Sequence, residues 1–399
     1  MYVKKVAVVG AGTMGADIAY NFAMANIPVV LRDVDSKILS KAQEHIWDLI
    51  QGRVAKGRLG SADAEKRFGQ IQFSTQDDDL RDTSLAIEAV PESLQLKQQV
   101  FRELDRLLPP LAILASNTSA LSISEMANAT TRPERVAGMH FFYPAHTMKL
   151  VEIISGDETD QEVVTTLVRL SEELRKIPVV VQECPGFVVN RILMASLAEA
   201  LRFKSEKHLN PQDIDAVVSG RKLAPMGLFT LVDALGLDIA WDVAQILKRA
   251  YGDRFDPGTE LGELVRQHHL GVKTGQGFYS YQSASQVKPP GPVSMSAEQQ
   301  EELIDRFTLS LFMEASRLVE EGRASERSVD IAMRAGAGLP MGPFAAADKI
   351  GLDVVYNKLK EMSHRFGERF TPPSSLAQMV GRGQLGEKTG RGYFYHKKI

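Results

Sequence analysis

The sequence predicts an α/β chain in which a doubly wound, mostly parallel sheet is followed by two repeated all-α domains. Three observations predict it. A strand, a glycine-rich turn and a helix follow one another in residues 4–19. Apolar strands alternate with amphipathic helices to about residue 184. Beyond that point a helical segment recurs at a constant offset of 115 residues.

The first element is Val6-Ala7-Val8-Val9, a short apolar run that reads as a buried parallel strand. Gly10, Gly12 and Gly15 follow in G-x-G-x-x-G spacing, and Met14, Ile18 and Phe22 open an amphipathic helix. In a dinucleotide-binding turn the first glycine permits the tight bend, the second lets a pyrophosphate approach, and the third lets helix and strand pack closely. The helix N-terminus offers unpaired N–H groups and a positive dipole end. A second strand, Pro28-Val29-Val30-Leu31, ends at Asp33, 21 residues beyond Gly12, where a carboxylate can accept hydrogen bonds from an adenosine ribose. These residues point to a dinucleotide site.

Helices are expected at 36–56, 94–108 and 160–175, and strands at 71–74, 85–90, 113–116, 136–142, 150–154 and 179–181. Arg53, Lys56, Arg58, Lys66 and Arg67 form a basic segment, read either as a solvated face or as a rim for a phosphorylated substrate. At Pro185 the pattern turns to helices, expected at 187–203, 211–218, 239–251 and 259–268. Pro289, Pro290, Gly291 and Pro292 read as a linker. After it, Arg191, Glu199 and Asp215 recur as Arg306, Glu314 and Asp330, and Pro225-Met226-Gly227 as Pro340-Met341-Gly342. Lys273-Thr274-Gly275 recurs as Lys388-Thr389-Gly390. The expected domains are therefore 1–184, 185–281 and 299–396. Asn190 has no counterpart, because Asp305 stands in its place.

Composition limits the functional classes. Apolar content of 44% and charged content of 24% are those of a globular protein. A net charge of −3 argues against nucleic-acid and membrane-surface partners. The single cysteine, Cys184, excludes an intrachain disulfide framework and suits a reducing compartment. The chain enters its first strand within five residues of Met1, so no leader is expected and a cytoplasmic location is.

Open parallel sheets bind ligands at the carboxyl ends of their strands. Ser119, His140 and Glu152 lie at or near such ends. A histidine and a glutamate on neighbouring strands can pair so that the carboxylate orients the imidazole and stabilises its protonated form. The plainer alternatives are a hydrogen-bonded sheet histidine and a serine that caps the helix after Asn117. A Ser-His-Glu acyl-transfer triad is disfavoured, because Ser119 has no G-x-S-x-G elbow. No residues stand at metal-ligand spacing, so no metal is expected.

The segments GAGTMG (10–15), SNTSAL (116–121), HFFYPAHTMKLVEI (140–153), PGFVVNR (185–191), PMG (225–227) and KTGQGFY (273–279) resemble the 3-hydroxyacyl-CoA dehydrogenase family. The resemblance covers nearly the whole chain, in the family's order and spacing. It implies a Rossmann-type first domain and NAD-dependent oxidation of (S)-3-hydroxyacyl-CoA to 3-oxoacyl-CoA, as in β-oxidation. It implies that His140 and Glu152 are the catalytic pair and that Ser119 and Asn190 hold the substrate oxygens in an interdomain cleft. It places cofactor contacts on Gly10, Gly12, Thr13, Met14, Gly15, Asp33, Glu92, Lys97, Asn117 and Lys273, and a CoA contact on Lys56. The chain departs from the family at Tyr143, commonly Asn or Ser, and at Leu49, where the family has a CoA-contacting serine.

The resemblance implies an acyl-CoA substrate and a second helical copy that stands in for a dimer partner. Either a monomer built as an internal pseudo-dimer or a homodimer is then expected. Two other functions stay open: a dehydrogenase of a small hydroxy acid without CoA, and a catalytically retired nucleotide-binding structural protein.

Overall fold

The computed structural model describes residues 3–281 and 294–397, and the Pro-rich linker expected at 289–292 lies outside them. The chain forms two compact units, 1–187 and 188–399.

The first unit is built on an eight-stranded sheet in the order β3-β2-β1-β4-β5-β6-β7-β8. Its strands are β1 (Val6–Val9), β2 (Val29–Arg32), β3 (Ile71–Ser74), β4 (Leu85–Glu88), β5 (Ile113–Ser116), β6 (Val136–Phe141), β7 (Leu150–Ser155) and β8 (Ile177–Gln182). Its helices are α1 (Thr13–Met24), α2 (Ser36–Ala55), α3 (Ser61–Phe68), α4 (Leu94–Leu107), α5 (Ile123–Ala127) and α6 (Gln161–Glu173). Every residue of β1, β4, β5, β6 and β7 is buried, as strands covered on both faces require. At about 1.5–3 kcal/mol for each fully buried Val, Leu or Ile, these strands supply a large share of the unit's hydrophobic driving force.

Six of the seven strand pairings are parallel, and β6–β7 is antiparallel. The physical reason is connection length. Residues 142–149 join β6 to β7, too few for the crossover of a dozen or more residues that a parallel neighbour needs. Between β7 and β8 the helix α6 makes that crossover, and the pair is parallel. The short helix α3 was not expected from the sequence, and the helix expected after Asn117 is α5, whose N-cap is Ser122 and not Ser119. Part of the basic segment, including Lys66 and Arg67, lies in α3.

The second unit is helical. Its first copy contains α7 (Val189–Lys207), α8 (Pro211–Gly220), α9 (Leu228–Leu235), α10 (Leu237–Tyr251) and α11 (Glu260–Arg266). Its second contains α12 (Ala297–Glu320), α13 (Glu326–Gly336), α14 (Pro343–Ile350), α15 (Leu352–Phe366) and α16 (Ser374–Gly381). The apolar run 228–235 forms α9, which the sequence reading did not assign. The recurring motifs are anchors of each copy. Asp215 accepts the backbone N–H groups of Phe229 and Thr230, and Asp330 accepts those of Phe344 and Ala345. A Cβ on Gly227 or Gly342 would stand 2.0 or 2.2 Å from the carboxyl carbon of that aspartate, which accounts for the glycine of Pro-Met-Gly. Asp233 and Asp348 hold the turns around Gly277 and Gly392 in the same way.

The two copies meet through α7 and α12 and exchange partners reciprocally, as in an isologous interface. Arg191 donates to Glu314 at 2.7 Å and to Glu321, while Arg306 donates to Glu199 at 2.6 Å and to Glu206. Arg254 reaches Glu314 at 3.0 Å, and its counterpart Arg369 reaches Glu199 at 3.0 Å. The guanidinium of Arg191 lies over Tyr251, and that of Arg306 over Phe366. Arg191, Arg306, Glu199 and Glu314 are all buried. Burial alone would raise Glu314, but the charges of Arg191, Arg317 and Arg254 outweigh it and hold the carboxyl below the ordinary glutamate range. Glu199 is lowered likewise, burial being outweighed by Arg306, Arg369 and Arg202.

Removing one partner from such a buried network leaves charge uncompensated. Glu314→Gln should therefore cost roughly 3–5 kcal/mol at pH 7. A depressed folded pKa contributes stability above the unfolded value and loses it as pH falls through the folded one. The cost of the substitution should therefore shrink below about pH 4. Urea unfolding at both pH values, followed by Trp241 emission in a Trp47→Phe background, measures this. An equal cost at both pH values refutes it.

Candidate active site

The glycine turn lies where the strand order reverses, between β1 and β4. Gly10 has φ +100°, and a Cβ there would stand 2.6 Å from the Ala89 carbonyl oxygen. A Cβ on Gly15 would fall 1.8 Å from the Gly10 carbonyl oxygen, so the close approach of α1 to β1 requires that glycine. Gly12 differs from both. Its φ is −64°, and a Cβ there would meet nothing within 4 Å. The fold does not need Gly12, whereas a pyrophosphate lying over the first turn of α1 does. Gly12 is also the N-cap of α1 and supplies no side-chain cap, so no capping side chain competes for the first-turn N–H groups. Thr13 is exposed, and Met14 packs against the core beneath. The turn fits a dinucleotide.

Asp33, at the end of β2, accepts the Ala11 N–H at 2.8 Å through one oxygen and the Asp35 N–H at 3.0 Å through the other. The carboxylate is thus fixed against the turn. Its neighbour Arg32 pairs with Asp77 at 2.6 Å.

At the ends of β4 and β5 lies a polar and charged network of which the sequence reading saw three members, Glu92, Lys97 and Ser119. Lys97 is buried, and its ammonium donates to Glu88 at 2.7 Å and to the Val90 carbonyl, with Glu92 at 3.2 Å. Ser116 donates to Glu88 at 2.6 Å. Glu92 in turn accepts the Thr118 hydroxyl at 2.6 Å and the Ser119 N–H at 3.0 Å. Burial pushes the Glu88 carboxyl up despite Lys97. Glu92 goes the other way: Lys97 and the bonds from Thr118 and Ser119 outweigh its burial and hold it low. What Lys97 presents outward is Glu92 and the 117–119 turn. Glu88, Ser116 and Thr118 were missed. The one available signal was an ionisable residue inside the apolar run 85–90, nine residues before a lysine.

Asn117 accepts the Phe141 N–H at 2.8 Å through its side chain, tying the end of β5 to β6 one residue beyond His140. His140 and Glu152 are direct partners in the antiparallel register of β6 and β7. His140 Nδ1 lies 2.8 Å from a Glu152 carboxylate oxygen, with the two side chains 7% and 0% exposed. The imidazole is flanked by Phe142 and Phe187, at 4.4 and 5.8 Å between ring centroids. A carboxylate accepts hydrogen bonds, so the contact pairs it with an Nδ1–H and leaves Nε2 outside the contact. The arrangement is that of a histidine held in place by a buried carboxylate.

The remaining candidates are divided between the two units. Lys56 is exposed at the C-terminal end of α2, and Leu49 packs against the core of the first unit. Tyr143 is 55% exposed. Asn190 belongs to the second unit, at the second residue of α7. Lys273, in the same unit, pairs with Asp238 at 2.5 Å, and Lys388 pairs with Asp353 in the second copy. The Lys-Thr-Gly motif therefore forms an internal ion pair in both copies.

Comparison with known proteins agrees with this geometry. The description "3-hydroxyacyl-CoA dehydrogenase, NAD binding domain" matches residues 5–184, and "3-hydroxyacyl-CoA dehydrogenase, C-terminal domain" matches 186–281 and again 303–396. The chain is similar to a 3-hydroxybutyryl-CoA dehydrogenase structure from Escherichia coli K12, with 28% identity and a TM-score of 0.87 over 96% of this chain and 100% of that one. It is similar to an (S)-3-hydroxybutyryl-CoA dehydrogenase from Ralstonia eutropha, with 35% identity and a TM-score of 0.68 over 70% of this chain and 100% of that one. It also resembles the dehydrogenase part of multifunctional enzyme 1 from C. elegans, with 25% identity and a TM-score of 0.64 over 95% and 90% of the two chains. No helix among the described residues is long and apolar enough to cross a membrane. With an NAD-binding turn at the head of its sheet and two copies of the family's C-terminal domain behind it, the chain belongs to the 3-hydroxyacyl-CoA dehydrogenase family of NAD-dependent oxidoreductases.

Proposed function

We propose that the chain oxidises (S)-3-hydroxyacyl-CoA to 3-oxoacyl-CoA, with His140 as general base and Glu152 as the group that orients and charges it. The observation that carries this reading is the 2.8 Å contact between His140 Nδ1 and Glu152, in one sheet with the nucleotide turn. NAD, bound over the turn at Gly12, supplies the hydride acceptor. His140 takes the hydroxyl proton on Nε2, and the resulting imidazolium is stabilised by the buried carboxylate of Glu152. Ser119 and Asn190 donate to substrate oxygens and fix the orientation of C3. Asp33 and Glu92 accept from the cofactor's hydroxyl groups, while Lys97 and Asn117 hold the turns that carry the site. Lys273 adds a cofactor contact beyond its own ion pair.

Lys56 recognises the nucleotide phosphates of CoA. Leu49 favours a second reading, since it places an apolar, core-packed side chain where family members offer a hydroxyl to CoA. On that reading the substrate is a small hydroxy acid that lacks CoA.

Three measurements test these assignments. His140→Ala and Glu152→Gln should lower kcat for 3-hydroxybutyryl-CoA oxidation by roughly 10²–10⁴-fold with the Kd for NADH little changed. Near-normal turnover in His140→Ala refutes the base assignment. Lys56→Glu should raise KM for acetoacetyl-CoA about five- to tenfold, the modest effect of a solvent-screened charge, and leave KM for an acetoacetyl-pantetheine unchanged. Equal effects on both, or turnover of a free hydroxy acid in preference to its CoA ester, would favour the second reading. The kcat/KM for NAD should exceed that for NADP by about 10–100-fold, because Asp33 repels a 2′-phosphate and Arg32 is engaged by Asp77. Equal values for the two cofactors would contradict that role for Asp33.

A further inference from the structure

The sequence holds no metal-ligand spacing, yet the fold gathers three ligand-type side chains far from one another in the chain. Asp17 comes from α1, His45 from α2, and His146 from the 142–149 connection between β6 and β7. The Asp17 side chain is 1% exposed, and each of its oxygens faces an imidazole. His45 Nε2 lies 2.9 Å from one oxygen and His146 Nδ1 2.8 Å from the other, which also accepts the His146 backbone N–H at 3.2 Å. Among the described residues no lysine or arginine is ion-paired with this carboxylate. Lys176 feels this carboxylate, and its ammonium donates to the carbonyl oxygens of Ala145 and Met148 on the same connection. Burial and Lys149 push Lys176 down to about 8, against the pull of Asp17.

We propose that Asp17, His45 and His146 form a binding site for one divalent transition-metal ion of the zinc class. One nitrogen of each imidazole and one carboxylate oxygen lie within 4.8 Å of one another. Tetrahedral zinc with ligands at about 2.0–2.1 Å places ligand atoms about 3.3 Å apart; the contacts of 2.9 and 2.8 Å, made to the two different oxygens of Asp17, open by about half an ångström, and the other pairs, which lie within 4.8 Å, close toward the ion. Two imidazoles with one carboxylate select zinc-class ions over calcium and magnesium, which take oxygen ligands. Three protein ligands leave a fourth position for water. The histidine side chains are 40% and 27% exposed, which gives the ion a path from solvent while the carboxylate stays buried.

The metal site ties the first two helices of the sheet to the connection that joins the strand of His140 to the strand of Glu152. Its part is positional, since none of its ligands is a group assigned to the chemistry. In the metal-free protein the same three side chains form a hydrogen-bonded clamp, and a permanent clamp without metal is the competing outcome.

The test uses the full chain, stripped with chelator and titrated with cobalt(II) chloride and zinc chloride at pH 7.5. One equivalent of cobalt should give the visible absorption of a four-coordinate site, and one equivalent of zinc should abolish it. At zinc concentrations 100 times Kd the thermal midpoint should rise by about 3 °C. His45→Gln and His146→Gln keep a hydrogen-bond donor for Asp17 but lose a ligand. Each should weaken zinc binding by at least about 100-fold with the metal-free midpoint nearly unchanged, while His269→Gln binds as the parent does. Wild-type protein that binds no zinc more tightly than about 10 µM, or binding that persists in both variants, overturns the proposal.

Discussion

The change of strand direction between β6 and β7 is the constraint on which the functional half of the molecule depends. Eight connecting residues cannot return the chain to a parallel neighbour, so β7 pairs back on β6. That pairing sets Glu152 directly opposite His140, and a side-chain period of two puts both on one face of the sheet. A slip of one residue would send the two side chains to opposite faces. The register is protected because every residue of both strands is buried, so a slipped pairing would exchange the whole apolar content of the two faces.

Around that pair, polar groups act mostly through one another. Asn117 holds the strand of His140, Lys97 holds Glu88 and Glu92, and Glu92 holds the turn bearing Ser119. Buried charges of this kind are costly unless each has a partner. Here each carboxylate has at least one ammonium, hydroxyl or N–H donor, so the turn is preorganised rather than merely present. Two of the three glycines in the nucleotide turn serve this packing, and only Gly12 is left without a task inside the protein.

The second unit shows how a duplicated sequence becomes one body. Because the repeat keeps arginine and glutamate at matching positions, each copy presents to the other the charges that the other presents to it. Buried ion pairs add little net stability compared with apolar packing, but they penalise any pairing that leaves an ion alone. Reciprocal pairing of Arg191 with Glu314 and Arg306 with Glu199 therefore specifies how α7 meets α12. Only part of this was legible in the sequence. The recurrence of Arg191, Glu199 and Asp215 was visible as identity at a fixed offset. Nothing in that offset said that Arg191 would meet Glu314 rather than its own neighbour Glu199. The partners Glu206 and Glu321, which follow the same offset, were not singled out.

The sequence by itself determined the elements whose cause is local. Apolar runs of four to six residues became buried strands, glycine spacing became the nucleotide turn, and helical periodicity beyond Pro185 became the second unit. Short helices such as α3 and α9 escaped it, because eight residues or fewer carry too little periodicity to separate helix from buried loop or strand. Tertiary structure alone decided which distant polar groups share a neighbourhood. It paired His140 with Glu152 in register, bound Lys97 beneath the turn of Ser119, and brought Asp17 to His45 and His146 across 28 and 129 residues. Periodicity records which face of an element is buried, but a buried charge is stabilised by whatever partner the fold sets within about 3 Å, and one-dimensional spacing does not encode that partner.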